Sequence, residues 1–171
     1  LDGPSSRLII QPADVDESPL PGEAPTALVE RLARSKASAV ADGHPHALVV
    51  AADTVVDLDD TILGKPLDHH DAVAMLTRLS GRQHAVHTGI ALRDPRATTV
   101  KSWTETTNVR FRKLSEDEIE AYVATGEPMD KAGAYGIQGE GGRFVESIDG
   151  SFDNVVGLSL DRLREAITTF F

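Results

Sequence analysis

The sequence predicts an α/β or α+β domain: a mixed, twisted sheet flanked by helices, with a cleft between a larger and a smaller lobe. Three observations predict it. Helical and strand patterns mix along the chain with no internal repeat and no low-complexity linker. Residues 47–56 form a ten-residue run dominated by Val and Ala, the pattern of a strand buried on both faces. The 171 residues, 40% hydrophobic and 26% charged, suffice for one domain with its own core, so 1–171 reads as a single unit.

The elements follow in order. Leu8-Ile9-Ile10 predicts a short strand, and the acidic turn Asp14-Val15-Asp16-Glu17 follows it. Thr26 is the expected N-cap of a helix from Ala27 to Val40, which Gly43 and Pro45 stop. Next come the strand at 47–56, a polar turn at 57–61, and Ile62-Leu63, which pairs back as a hairpin. Asp68 caps a helix running to Leu79, with Ala72, Met75, Leu76 and Leu79 on one stripe and Gly81 past its end. His84–Leu92 is a strand and Asp94-Pro95 a turn. From Val100 to Phe111 the residues alternate, which predicts a long antiparallel strand with one wetter face. Ser115 and Glu118 have the spacing of a capping box that opens a helix ending at Gly126. A stretch with five glycines, 133–142, precedes a strand at Arg143–Ile148. The last helix starts near Leu160 with Leu163, Ile167 and Phe170 inward.

Composition narrows the function. Lys and Arg number 17 against 27 Asp and Glu, a formal net charge of −10, which argues against a duplex nucleic-acid surface. It leaves room for one small anion held by local lysines or through a metal. With no Cys, thiolate metal sites, disulfides and a Cys nucleophile are excluded. No apolar run is long enough to span a bilayer, and no basic-then-apolar leader pattern opens the chain. No Gly-x-Ser-x-Gly elbow supports a serine hydrolase.

A few residues could carry chemistry. Asp53 interrupts the apolar run toward its C-terminal end, where a carboxylate is costly unless paired. It reads as a metal ligand or general base at a cleft, or as the cap of a turn or the partner of a structural Lys. The run 14–17 suits a hard divalent cation such as Mg²⁺ or Mn²⁺, or is a solvated turn. Lys36 lies mid-helix, and Lys65 sits between Gly64 and Pro66, where a phosphate contact or plain solvent exposure would both fit. Glycines every third residue in 133–139 suggest backbone brought close to a ligand, and the Gln138 amide can read a base edge. His84 and His87 fall on opposite faces of a strand and cannot share a metal.

Several segments line up in order with one family. Asp14-Val15-Asp16-Glu17, Lys36-Ala37, Ala52-Asp53-Thr54-Val55-Val56, Gly64-Lys65-Pro66, Leu79-Ser80-Gly81-Arg82 and Thr88-Gly89 resemble the Maf-like nucleotide pyrophosphatases. So do residues 131–139 and Asn154-Val155-Val156-Gly157-Leu158. The resemblance implies the mixed α/β fold shared with inosine triphosphate pyrophosphatases, and hydrolysis of a nucleoside triphosphate to a monophosphate and pyrophosphate. It implies Asp53 as catalytic base, Glu17, Lys36 and Lys65 as further active-site residues, and Thr54 and Gln138 as the positions that set substrate choice. A divalent cation, Mg²⁺ or Mn²⁺, would be held by Glu17 and Asp53. Thr54 and the run Tyr135-Gly136-Ile137-Gln138 resemble the dTTP/UTP branch. The alternatives are the 7-methyl-GTP branch and a non-catalytic nucleotide-binding regulator of cell division.

The resemblance further implies a cytoplasmic protein whose partner is the nucleotide; no nucleic-acid or membrane partner is expected, and a homodimer is one assembly left open. The family opens with a strand, a Ser-x-Ser-x-Arg-Arg phosphate loop and a helix. Ser5-Ser6-Arg7 is not that loop, because only six residues separate Arg7 from Asp14. The chain is therefore expected to begin inside or just after the family's first helix.

Overall fold

A computed structural model describes residues 7–94 and 100–168. Five α-helices and five strands are assigned among them, with three short 3-10 helices between Glu127 and Phe144. The α-helices and strands are α1 (Pro25–Ala41), β1 (Val49–Leu58), β2 (Thr61–Leu63), α2 (His69–Leu79), β3 (Gln83–Arg93), β4 (Val100–Phe111), α3 (Glu116–Val123), β5 (Val145–Asp149), α4 (Phe152–Val156) and α5 (Leu160–Thr168). The strands form one sheet in the order β2-β1-β3-β4-β5. The α/β class holds. The expected mixed pairing does not: every pair among the described strands is antiparallel.

Local chemistry explains most elements. The β1–β2 hairpin turns on Asp59 and Asp60, both at positive φ, as a tight turn matched to strand twist requires. Asp68 caps α2 by accepting from the Asp71 N–H. Ser115 and Glu118 form the expected capping box on α3. Thr26 is not the cap of α1. Ala24 occupies that position and Pro25 starts the helix, where a missing N–H costs nothing. Leu8, Ile9 and Ile10 form no strand and are 87%, 57% and 89% exposed, because no described strand lies beside them. The Pro95 half of the expected turn and Phe170 lie outside the described residues. Leu163 and Ile167 are half-buried, and Ala166 is the buried residue of α5.

The sheet separates two layers. On one face α1 lays Leu28, Val29, Leu32, Ala33 and Ala37 against Val49, Val55 and Ala91. The contact is close because Gly89 on β3 has no side chain: a Cβ there would stand 2.1 Å from the Val29 carbonyl oxygen. Backbone cannot yield as a side-chain tip can. Gly89→Ala is therefore expected to lift α1 off the sheet and cost more than about 3 kcal/mol, read from denaturant unfolding. The opposite face carries the main core, where α2 and α3 pack around Phe111, Tyr122, Phe144 and Val86. Among the described residues, no helix is long and apolar enough to cross a membrane.

Candidate active site

β2 pairs with β1 only at Val56, Asp57 and Leu58. Upstream of Val56, β1 has β3 on one side and no described strand on the other. A cavity of about 990 Å³ wraps this open edge. Strand alternation turns Asp53 and Val55 toward the α1 layer, and Ala52, Thr54 and Val56 toward the other. The cavity therefore reaches both faces of the sheet at one strand.

The α1 side is charged. Lys36, on the fourth turn of α1, places Nζ 2.6 Å from Asp53 Oδ1 and 2.5 Å from Glu17 Oε1. The Asp53 side chain is 10% exposed, and that of Glu17 is 53%. Burial pushes the Asp53 carboxyl up, and the hydrogen bond and charge of Lys36 pull it back only in part, so it stays above the ordinary carboxylate range. Burial draws Lys36 down, but its bonds to Asp53 and Glu17 outweigh this and leave it raised, so it stays charged at neutral pH. Lys65, exposed between β2 and α2, adds a second positive charge that Asp53 feels. Only Glu17 of the acidic run reaches this centre; Asp16 instead accepts from the Ser18 N–H.

The other side is apolar with polar points. Val86, Ile137, Val155 and Val156 line it together with Tyr135, Thr54 and Gln138. His84 Nε2 lies 2.8 Å from the Tyr135 hydroxyl, and burial holds this histidine at about 4, hence neutral. Thr54 Oγ1 meets Thr88 Oγ1 at 2.9 Å. Gln138 is exposed at the rim.

The six residues singled out in the sequence, Glu17, Lys36, Asp53, Thr54, Lys65 and Gln138, all line this one cavity. Three expectations need correction. Asp53 is the fifth of ten residues in β1, so the site opens at the lateral edge of the strand, not at its carboxyl end. The strand is not buried on both faces either: Ala51–Thr54 are half-buried and Val50 is 38% exposed, because the edge is open. The glycines of 133–142 serve close packing of protein and not the cavity alone, although Gly136 and Gly139 do line it. A Cβ on Gly133 would stand 2.8 Å from Val56 Cγ2, and one on Gly139 2.3 Å from Glu127 Oε1. They let this loop press onto β1 and onto Glu127, which bonds Tyr122 and the Glu140 and Gly141 N–H groups. His84 and His87 do fall on opposite faces, the first on Tyr135 and the second on Thr106.

Sequence reasoning missed α4. No element was expected between the strand ending at Ile148 and the helix near Leu160, yet Ser151 caps a helix there through the Asn154 N–H and Gly157 ends it at positive φ. A Ser three residues before Asn, then Gly, was the available signal.

Metal binding can be tested against these side chains. Among the described residues, no group of three or more His or acidic side chains is placed to hold a cation. Two carboxylates do converge on one ammonium, at Glu17 and Asp53. That suits an ion such as Mg²⁺, which takes one or two protein carboxylates and completes its shell with substrate phosphates and water. The pair fits a cation brought with an anionic ligand, not a closed protein cage.

The class this arrangement defines is an α/β domain whose pocket holds two carboxylates and two lysines on one side of a strand edge and apolar side chains with a few polar points on the other. The profile of the Maf-like proteins matches residues 3–170, and the chain belongs to that family. It is 51% identical over 152 residues to the dTTP/UTP pyrophosphatase of Syntrophomonas wolfei, covering 89% of this chain and 80% of that one. It is 53% identical over 154 residues to the enzyme of the same name from Myxococcus xanthus, covering 90% and 77%. With that of Aromatoleum aromaticum it shares 50% over 163 residues, covering 92% and 78%.

Proposed function

We propose that this protein is a nucleoside triphosphate pyrophosphatase acting on dTTP, UTP and closely related nucleotides. Its relatives' names support the substrate class. The observation that carries the reading is the two-sided cavity at β1, with Asp53, Lys36 and Glu17 on one side of the strand edge and Thr54 on the other. A nucleotide has the same division: a charged triphosphate and a flat base.

In the reaction, a water oxygen attacks the α-phosphorus and the α–β anhydride bond breaks. The nucleoside monophosphate and pyrophosphate are released. Asp53 takes the proton of the attacking water, a role that its raised pKa favours because a stronger base transfers more readily. Lys36 and Lys65 bear on the charge that builds on the phosphoryl oxygens. Thr54 and Gln138 hydrogen-bond the base edge. A Mg²⁺ or Mn²⁺ ion, held by Glu17 and Asp53 with the substrate phosphates, would supply Lewis-acid neutralisation of those oxygens. The acidic net charge is no obstacle, since local cations set the field at the site. A cytoplasmic location, where nucleotide pools are kept, goes with this reading.

The test is a panel of nucleoside triphosphates with pyrophosphate detection, run with Mg²⁺, with Mn²⁺ and in excess chelator. UTP and dTTP are expected to yield monophosphate and pyrophosphate, and chelator to stop turnover. Release of inorganic phosphate alone, or no turnover on any nucleotide, overturns the activity. An unchanged rate in chelator overturns the metal requirement.

A further inference from the structure

Thr54 has one hydroxyl proton, and the direction it takes decides what this wall of the cavity can read. Its Oγ1 is 2.9 Å from Thr88 Oγ1, and by geometry alone either could donate. The next contact removes that freedom. Thr88 Oγ1 is 3.1 Å from the main-chain oxygen of Asn154. A carbonyl oxygen has no proton to give, so the contact is attractive only when Thr88 donates. That oxygen also accepts from the Gly157 N–H at 3.0 Å, and its second lone pair serves Thr88. Thr88 is 0% exposed, so its hydroxyl has no solvent to turn toward. With its single proton committed, Thr88 faces Thr54 as an acceptor. The Thr54 proton must then point at Thr88, and toward the cavity Thr54 presents lone pairs only.

The acceptor at the end of this chain is firmly held. Asn154 Nδ2 donates to the Val86 carbonyl at 3.1 Å and to Thr107 Oγ1 at 3.0 Å. Ser151 caps the Asn154 N–H, and the Ser151 N–H and carbonyl both bond Thr107 Oγ1. The short helix α4 is thereby pinned under β3 and β4, and the Asn154 carbonyl cannot drift from Thr88.

We infer that Thr88, oriented by the Asn154 carbonyl, is a positioning residue that fixes Thr54 as a pure acceptor and makes the cavity select bases presenting an N–H donor there. Uracil and thymine present one at their ring imide; cytosine has an unprotonated acceptor nitrogen at the same ring position. Facing Thr54, that nitrogen sets lone pair against lone pair, and a buried polar clash of this kind is what gives strong discrimination. Gln138 cannot supply this selectivity alone, because its amide can turn to offer either a donor or an acceptor. The inference rests on the nucleotide reading proposed above.

The experiment compares kcat/KM for UTP and CTP in the unmodified protein, Thr88→Val, Thr88→Ala and Thr88→Ser. Val keeps the shape of Thr but deletes the acceptor, freeing the Thr54 proton to turn toward the ligand. The UTP preference over CTP is expected to fall by about tenfold in Thr88→Val, through a gain on CTP, with UTP changed by less than about threefold. Thr88→Ser restores the preference, which a merely structural role does not predict. Thr88→Ala deletes the same acceptor and gives the same result if the valine variant does not fold. An unmodified protein that turns over neither nucleotide overturns the nucleotide reading itself. One that turns over both equally, or folded Thr88 variants that keep the full UTP preference, overturn the proton-direction inference and leave the activity standing.

Discussion

Asp53→Asn is expected to lower pyrophosphate release by about 10³-fold, within the range that loss of a positioned general base produces, while the protein stays folded. The substitution is nearly isosteric. An Asn oxygen still accepts from Lys36 Nζ, which sits 2.6 Å from Asp53 Oδ1. What is lost is the capacity to take a proton. Stability separates this from mere damage. Burial raises the Asp53 pKa, so the folded state holds the charged form less well than the unfolded chain does. The cost of that charge is absent at acid pH and is met as pH rises through the raised folded value. At neutral pH the Asn variant is therefore expected to melt no lower than the unmodified protein, and its melting temperature beside single-turnover rates checks both halves. Full activity in a folded Asn variant removes Asp53 from the chemistry. Lost activity with a collapsed melting temperature assigns it to structure.

Such a trade of stability for function explains why the catalytic side of the cavity was legible in the sequence. An Asp inside a run of Val and Ala contradicts its surroundings, and contradictions of that kind concentrate at functional sites. The capping signals were legible because they are local: Ser115 with Glu118, and Asp68 with Asp71, need no knowledge of the rest of the fold. The alternation over Val100–Phe111 was legible for the same reason and matches β4 end to end.

What was hidden depends on pairing at a distance. Whether β1 has a neighbour upstream of Val56 is decided by how far β2 runs, and only that places the cavity at a strand's edge. The glycines of 133–142 read as room for a ligand because close approach to Val56 or to Glu127 leaves the same trace in a sequence. Thr88 entered the sequence reading only as part of the Thr88-Gly89 segment, with no role of its own. Its part becomes visible only when the register sets it opposite Thr54 and α4 brings a carbonyl to it.

Lys36→Met is the other change expected to have a large effect, and it probes the coupling of the charged side. Among the described residues, Lys36 is the one cation that both Glu17 and Asp53 contact. Methionine keeps most of the side-chain stem on α1 and removes the ammonium. Two carboxylates then face each other across the space it filled, and like charges in a half-buried site cannot both ionise freely. Asp53, already raised, rises further. Since a protonated Asp53 cannot act as base, the acid limb of the kcat/KM profile moves to higher pH. At pH 7 the rate is expected to fall about 10²-fold or more, with part of it recovered as pH is raised. Lys36→Arg keeps a cation between the two carboxylates and holds the limb near its original position, even where the changed geometry slows the reaction. Direction is decisive here. If Lys36 served only the phosphate oxygens, its loss would lower the whole profile without moving that limb, because the protonation of Asp53 would be untouched. A sideways shift ties the lysine to the base, and a vertical one ties it to the substrate alone.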